Sequence, residues 1–233
     1  MKDNQTTNEM KITNVEFPST DKNPGFVGFI SNVLTEMECK TIIERTGEAG
    51  FSPALVHIGG GIEVYDGTYR KSERCIIDDE KFACCILNRI RKFIPKYYMD
   101  DEGQPWQLQS LNERMRVLKY QSGDYFQPHR DYPYKKSDTE ISFVTVMLYL
   151  NSTENEKCKG SFQGGSTMFP SKKHHSSEAS TTCPQYIPEC GSVLLFDHDV
   201  NHCGAPVKEG TKYAIRTDVM YQRCLFDYGD TWR

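Results

Sequence analysis

The feature that most restricts the fold is a change of texture near residue 107. From Gln107 onward the apolar residues come in short runs, rich in β-branched and aromatic side chains, separated by clusters of Gly, Asp, Pro and Ser. Such runs build strands and leave no long 3.6-residue stripe for a helix. Arg114 to Tyr120, Ile141 to Leu150, Ser166 to Phe169, Ser192 to Phe196 and Lys212 to Tyr221 are the strand candidates. The first half reads differently. Thr35, followed three residues later by Glu38, forms a capping box, so a helix is expected from about Glu36 to Arg45, stopping near Gly47. Asp78 and Asp79 open a second helix, whose Phe82, Ile86, Ile90 and Phe93 keep the helical period until Pro95 ends it. Residues 1–24 are polar and aperiodic, and are expected to be a flexible tail; the polar stretch Ser171 to Thr182 reads as a surface loop. Residues 25–233 are then expected to form one domain, with helical support over about 35–95 and a β core over about 107–225.

Charge and cysteine usage exclude several function classes. With 28 Lys plus Arg against 32 Asp plus Glu, the net charge is -4, which offers no basic surplus for a phosphate backbone, so no nucleic-acid partner is expected. No apolar run approaches the roughly 18 residues of a membrane span. The opening Met1 to Met10 lacks a signal peptide's apolar core, and no ER-retention signal is present. The chain is accordingly expected in the cytoplasm or nucleus and away from membranes. Its 9 cysteines are scattered without a CxxC pair, which fits neither a structural zinc site nor a secreted disulfide framework. Free thiols are the simpler reading.

The chemistry gathers on the β half. Strand side chains at i and i+2 share a face, so His129-Arg130-Asp131 aims an imidazole and a carboxylate at one point. Alone, that pair is weak evidence. His202 follows the apolar run Val193 to Phe196, where a returning strand can bring it beside the pair. Two His and one carboxylate with open positions are the facial triad of non-haem Fe(II) oxygenases. Such an iron needs a two-electron co-substrate; 2-oxoglutarate chelates through its keto and C1 carboxylate oxygens, and its far carboxylate calls for a buried cation. Lys212 and Arg216 fall on one strand face, and either could supply it.

These residues sit in blocks that resemble the Fe(II)/2-oxoglutarate-dependent dioxygenases, specifically the prolyl 4-hydroxylase-like family. Tyr120 to Asp131 is similar to the family's Tyr, Gly-containing turn and Pro-His-x-Asp block, with the same nine-residue step from Tyr to His. Thr145 to Asn151 resembles the strand that follows, Gly164 to Pro170 its Gly-Gly-x-Thr-x-Phe-Pro strand, and His202 to Lys212 its distal block. Upstream, Arg70-Lys71-Ser72 is similar to an Arg-x-Ser loop near the substrate groove. The resemblance covers about residues 25 to 225, and four blocks in order at matching spacing make it specific. It implies a mainly β fold with flanking helices: a double-stranded β-helix (jelly-roll, cupin-like) core with N-terminal supporting helices. It implies His129, Asp131 and His202 as iron ligands and Lys212 as the 2-oxoglutarate clamp, with Arg216 ranked second. Tyr120 and Tyr149 would donate hydrogen bonds to the co-substrate, with Thr167 a further candidate, and Arg70, Arg130 and Tyr132 would touch substrate. The implied reaction uses Fe(II), O2 and 2-oxoglutarate, with L-ascorbate as the family's reductant. It releases succinate and CO2 and hydroxylates a C–H bond, peptidyl proline first.

Plainer readings stand beside these. Another amino-acid side chain or a small molecule could be the substrate, and a non-catalytic jelly-roll binder of metal or anion is a second class. His198 competes with His202, although only His202 has the Gly-x-Pro-Val continuation. His174 and His175 lie in the polar loop and read as solvated, His57 reads as structural or rim, and Cys203 should point away from the site. Tyr120 and Tyr149 could be satisfied core tyrosines. The string His129-Arg130-Asp131 also matches a kinase catalytic loop, but Lys136 stands where that loop needs Asn.

Overall fold

The strand Glu140–Tyr149 shows how the molecule is assembled. Val144, Val146 and Leu148 are fully buried on one face, where they join Val117, Leu195 and Ile215 of neighbouring strands and Ile86 and Ile90 of a helix. Thr145, Met147 and Tyr149 point the opposite way, into the interior between two sheets. Strand parity thus separates a mainly apolar layer from a chemically mixed one. The computed structural model describes residues 10–14, 25–58, 62–154, 161–170 and 183–224. The loop at 171–182, with His174 and His175, lies outside the described residues.

An 11-stranded sheet carries both layers. Its long strand Lys212–Arg223 pairs with Glu140–Tyr149 on one side, and on the other with Arg114–Tyr120 and Pro105–Leu111, all antiparallel. A second, 5-stranded sheet runs in the order Gln185–Tyr186, Thr167–Met168, His202–Gly204, Tyr125–His129, Arg70–Lys71. Tyr149, Leu194, Phe196 and Ala214 of the large sheet pack against Tyr186 of the small one. Two facing antiparallel sheets with helices behind the larger are the expected jelly-roll. No helix among the described residues is long and apolar enough to cross a membrane.

The helices match their capping signals, with shifted ends. The first runs Glu36–Ala49, with the Thr35 hydroxyl accepting from the Glu38 N–H and the Glu38 carboxylate accepting from the Thr35 N–H. It passes the expected stop at Gly47 and ends at Gly50, which takes the positive φ of 86° that a residue with a Cβ avoids. The second is capped by Asp79 and runs Glu80–Ile90, then tightens into a 3₁₀ turn over Arg91–Phe93 before Pro95. Asp78 is not part of it; that residue ends a strand and pairs with Arg114. The second helix buries Ala83, Ile86, Leu87 and Ile90, and truncating Ile86 or Ile90 to Ala would cost about 2–5 kcal/mol.

Two expectations need correction. The β core reaches upstream of residue 107: Glu73–Asp78 pairs with Arg114–Tyr120, and Val27–Ile30 pairs with Val193–Asp197. Residues 35–95 therefore supply sheet as well as helix. Residues 12–14, placed in the expected tail, form a strand against Val27–Ile30, because that edge offers unpaired backbone groups to any chain passing beside it.

Candidate metal and co-substrate site

His129 ends the strand Tyr125–His129 and His202 begins His202–Gly204, and the two are direct cross-strand partners. Asp131 completes a cluster whose ligand atoms all lie within 4.8 Å of one another. The Nε2 atoms of His129 and His202 stand 4.0 and 3.8 Å from the Asp131 oxygens. Each imidazole is oriented from behind: His129 Nδ1–H donates to the Gln127 carbonyl at 2.7 Å and His202 Nδ1–H to the Val200 carbonyl at 2.9 Å. The Nε2 lone pairs are left facing the cluster. Burial pushes His129 down to about 3 and His202 in the same direction, so both rings are neutral near pH 7 and free to ligate. Burial alone would raise the Asp131 carboxyl, but the charge of the Arg216 guanidinium opposes it, and the carboxyl is held well below its ordinary range.

Asp131 terminates a directed hydrogen-bond chain. A carboxylate only accepts, so Thr145 Oγ1 donates to Asp131 Oδ2 at 2.6 Å and must accept from His198 Nδ1–H at 2.9 Å. His198 Nε2 then accepts from the Ser142 hydroxyl, also at 2.9 Å, and Ser142 Oγ in turn receives the Tyr134 N–H. His198 is 4% exposed with both nitrogens engaged, which removes it from competition with His202. The Asp131 N–H is also tied to the His198 carbonyl at 3.1 Å.

The two candidate clamps differ sharply. Lys212 is 4% exposed, and its Nζ donates to the Gly165 carbonyl at 2.7 Å, with the Tyr120 and Tyr149 rings each 5.4 Å away. Among the described residues no carboxylate pairs with it, and burial pushes its ammonium down to about 7. Arg216 already has partners: its Nη2 is 3.3 Å from Asp131 Oδ1 and 3.0 Å from Asp218 Oδ1. Tyr149 and Thr167 share a 2.7 Å hydroxyl contact, and Tyr149 is fully buried, so its hydroxyl is already satisfied. Tyr120, Thr167, Lys212 and Arg216 all line a cavity of about 330 Å³ that opens over the His129–Asp131–His202 cluster.

The residues proposed for substrate contact spread along the cavity wall and rim. The Arg70 guanidinium sits 4.6 Å above the Phe126 ring, which stacks at 3.6 Å on His129. Arg130 reaches Asp199 at 3.8 Å on the rim, and Tyr132 is 70% exposed with its ring edge-on to His57. Arg74 is held by Glu63 through two contacts and is a structural pair. Cys203 borders the cavity but is not part of the ligand cluster, whose three members are the two histidines and Asp131. Sequence reasoning missed Thr145, Arg116 and Asp218. The only signal available was their inward parity on otherwise apolar strands.

Two neutral imidazoles and one ionised carboxylate converging from one side suit a divalent first-row metal and leave its other positions open. An oxygenase-type jelly-roll with a His-Asp-His cluster is thus the class that fold and site define. Comparison with known proteins agrees. Residues 115–217 match the model of the 2OG-Fe(II) oxygenase superfamily. Among curated proteins the chain is 29% identical over 122 residues to probable prolyl 4-hydroxylase 7 of Arabidopsis thaliana, covering 44% of this chain and 36% of that protein. It is 24% identical over 206 residues to probable prolyl 4-hydroxylase 8 of the same plant, covering 78% and 64%. The chain thus spans roughly one third to two thirds of the length of these relatives. Among solved structures, a Trichoplax adhaerens prolyl hydroxylase in complex with a hypoxia inducible factor oxygen degradation domain peptide superposes with a TM-score of 0.58 at 19% identity, covering 83% of this chain and 82% of that one. The viral collagen prolyl hydroxylase of Paramecium Bursaria Chlorella virus-1, in its 2OG complex, gives 0.52 at 20%, covering 84% and 96%. The β core is thus similar to the 2OG-Fe(II) oxygenase superfamily over residues 115–217, and the chain as a whole is similar to prolyl 4-hydroxylases.

Proposed function

We propose that this protein is an Fe(II)- and 2-oxoglutarate-dependent dioxygenase that hydroxylates a peptidyl prolyl C–H bond. The observation that carries the reading is the buried Lys212 ammonium, without a carboxylate partner among the described residues, in the same cavity as the convergent His129, Asp131 and His202. In this reading His129 Nε2, His202 Nε2 and one Asp131 oxygen hold the metal. Lys212 pairs with the C5 carboxylate of 2-oxoglutarate, and Tyr120 and Thr167 flank it. Bound Fe(II), with O2 and 2-oxoglutarate, supplies the oxidation in which one oxygen atom enters succinate as CO2 leaves and the other enters the substrate as hydroxyl. The chain's own part is positional: Gln127, Val200 and Thr145 fix the three ligating side chains, while Phe126 and Phe196 pack against the imidazoles and keep water from them.

Relatives named as prolyl hydroxylases, and a structural neighbour holding a peptide, support a peptide or protein as substrate. We extend the same reading to a single catalytic unit over residues 25–233. Anaerobic titration with Fe(II) and then 2-oxoglutarate tests the cofactor assignment. A weak visible metal-to-ligand band that requires both additions is expected, and its absence in folded protein would exclude co-substrate chelation.

A further inference from the structure

The cavity carries more positive charge than the proposed metal and co-substrate can use. Arg116 and Arg216 are cross-strand partners on the inward face, and both line the cavity. They share one buried carboxylate: Arg116 Nη1 lies 3.3 Å from Asp218 Oδ2, and Arg216 Nη2 lies 3.0 Å from Asp218 Oδ1. The second acid beside Arg216 is Asp131, whose charge is committed to the metal once one is bound. Two guanidinium groups then face a single carboxylate, and Arg216 Nε is buried without a hydrogen-bond partner among the described residues. Arg70 adds a third cation on the same wall. Among the described residues its guanidinium donates to the Ser72 hydroxyl and to the Tyr120 hydroxyl, and no acid pairs with it. The negative charges of 2-oxoglutarate are already matched, one carboxylate by the metal and the other by Lys212. A half-buried cation surplus of this kind is costly until an anion meets it.

We infer that the substrate brings a carboxylate into the cavity, where the Arg116–Arg216 pair, assisted by Arg70, receives it beside the C–H bond to be oxidised. This rests on the hydroxylase reading above and narrows its substrate class: an acidic residue flanking the target proline, or the free carboxylate of a small acid. Planar guanidinium groups suit this better than an ammonium would, because they bind carboxylates through two parallel hydrogen bonds.

Three peptides of equal length with a distal fluorescent label test it, with Glu, Gln or Lys on both sides of a central proline. Anisotropy titrations use the full chain with Mn(II) and 2-oxoglutarate. The Glu peptide is expected to bind about ten- to a hundredfold tighter than the Gln peptide, the range for a charge-assisted contact. The Lys peptide should bind more weakly than either, and the Glu preference should shrink with added salt. Arg116→Gln leaves Asp218 paired with Arg216 and should erase most of the preference. N-acetylproline is the small-acid arm: if it binds and the flanking residues of the peptides make no difference, the carboxylate comes from a small acid and the inference stands. Equal affinities for all three peptides together with no N-acetylproline binding would overturn it, and the wild-type series alone decides this if the variant fails to fold. Succinate release, measured in parallel, separates the two claims. Release driven equally by Gln and Lys peptides keeps the hydroxylase reading and removes the anionic substrate, whereas tight Glu-peptide binding without release does the reverse.

Discussion

Replacing Lys212 with Met should make the unliganded protein more stable and unable to bind 2-oxoglutarate. The ammonium is 4% exposed, and burial drives it from the usual 10.5 down to about 7. At about 1.4 kcal/mol per pH unit that gap is roughly 4–5 kcal/mol of penalty for holding the charge in the unliganded fold. The penalty is full below about pH 7, where the folded and unfolded chains both carry the proton, and it fades as pH rises toward 10.5. The substitution also strands the Gly165 carbonyl, now bonded to Nζ at 2.7 Å, at a cost of about 1–3 kcal/mol. The balance is a gain of about 1–4 kcal/mol at pH 6, or a rise in Tm of about 2–16 °C for a chain of this size. That advantage should shrink between pH 7 and 10. With Mn(II) present, 2-oxoglutarate at a hundredfold its Kd should stabilise the wild type by about 2.7 kcal/mol and leave Lys212→Met unmoved. Thermal melts across pH, with and without 2-oxoglutarate, read both effects. A variant that is less stable at pH 6, or that 2-oxoglutarate still protects, would refute the reasoning.

Other consequences are equally open to measurement. Thr145→Val breaks the bridge from His198 to Asp131 and should weaken metal binding about tenfold to a hundredfold with little change in fold, as read by Co(II) titration and circular dichroism. Gly191→Ala forces a side chain against the Leu34 carbonyl at a φ of 77°, and should cost several kcal/mol in urea unfolding, more than about 3. The Glu38 carboxyl is held at about 2, first by the Arg89 hydrogen bonds. Its stabilisation is therefore present above about pH 4.5 and lost as pH falls toward 2, and Arg89→Ala should lower stability at pH 7 and flatten that acid-side decline.

Much of the site was legible because ligation obeys short-range geometry. The spacing of His129 and Asp131, and the Gly-x-Pro-Val run after His202, survive as one cluster in space. Arg114–Tyr120 was readable to the residue because Met115, Val117, Leu118 and Tyr120 make a short apolar and aromatic run with no helical stripe. Glu73–Asp78 was missed: its strand is short, half its side chains are charged, and its sheet partner lies some forty residues away. Parity placed Lys212 and Arg216 on one face but could not separate them. What separates them is a cross-sheet neighbour, Asp131, that reaches Arg216 and not Lys212. His198 likewise looked like a rival ligand until Ser142 and Thr145, on a different strand, were seen to occupy both its nitrogens.

The central claim is turnover. The purified protein, supplied with Fe(II), 2-oxoglutarate, O2 and ascorbate, should release succinate in proportion to a proline-containing peptide. Mass spectrometry of that peptide should show one added oxygen atom located on the proline, and Asp131→Ala should abolish both signals. Metal-loaded protein that binds 2-oxoglutarate yet releases no succinate with any proline peptide, acidic ones included, would contradict the account.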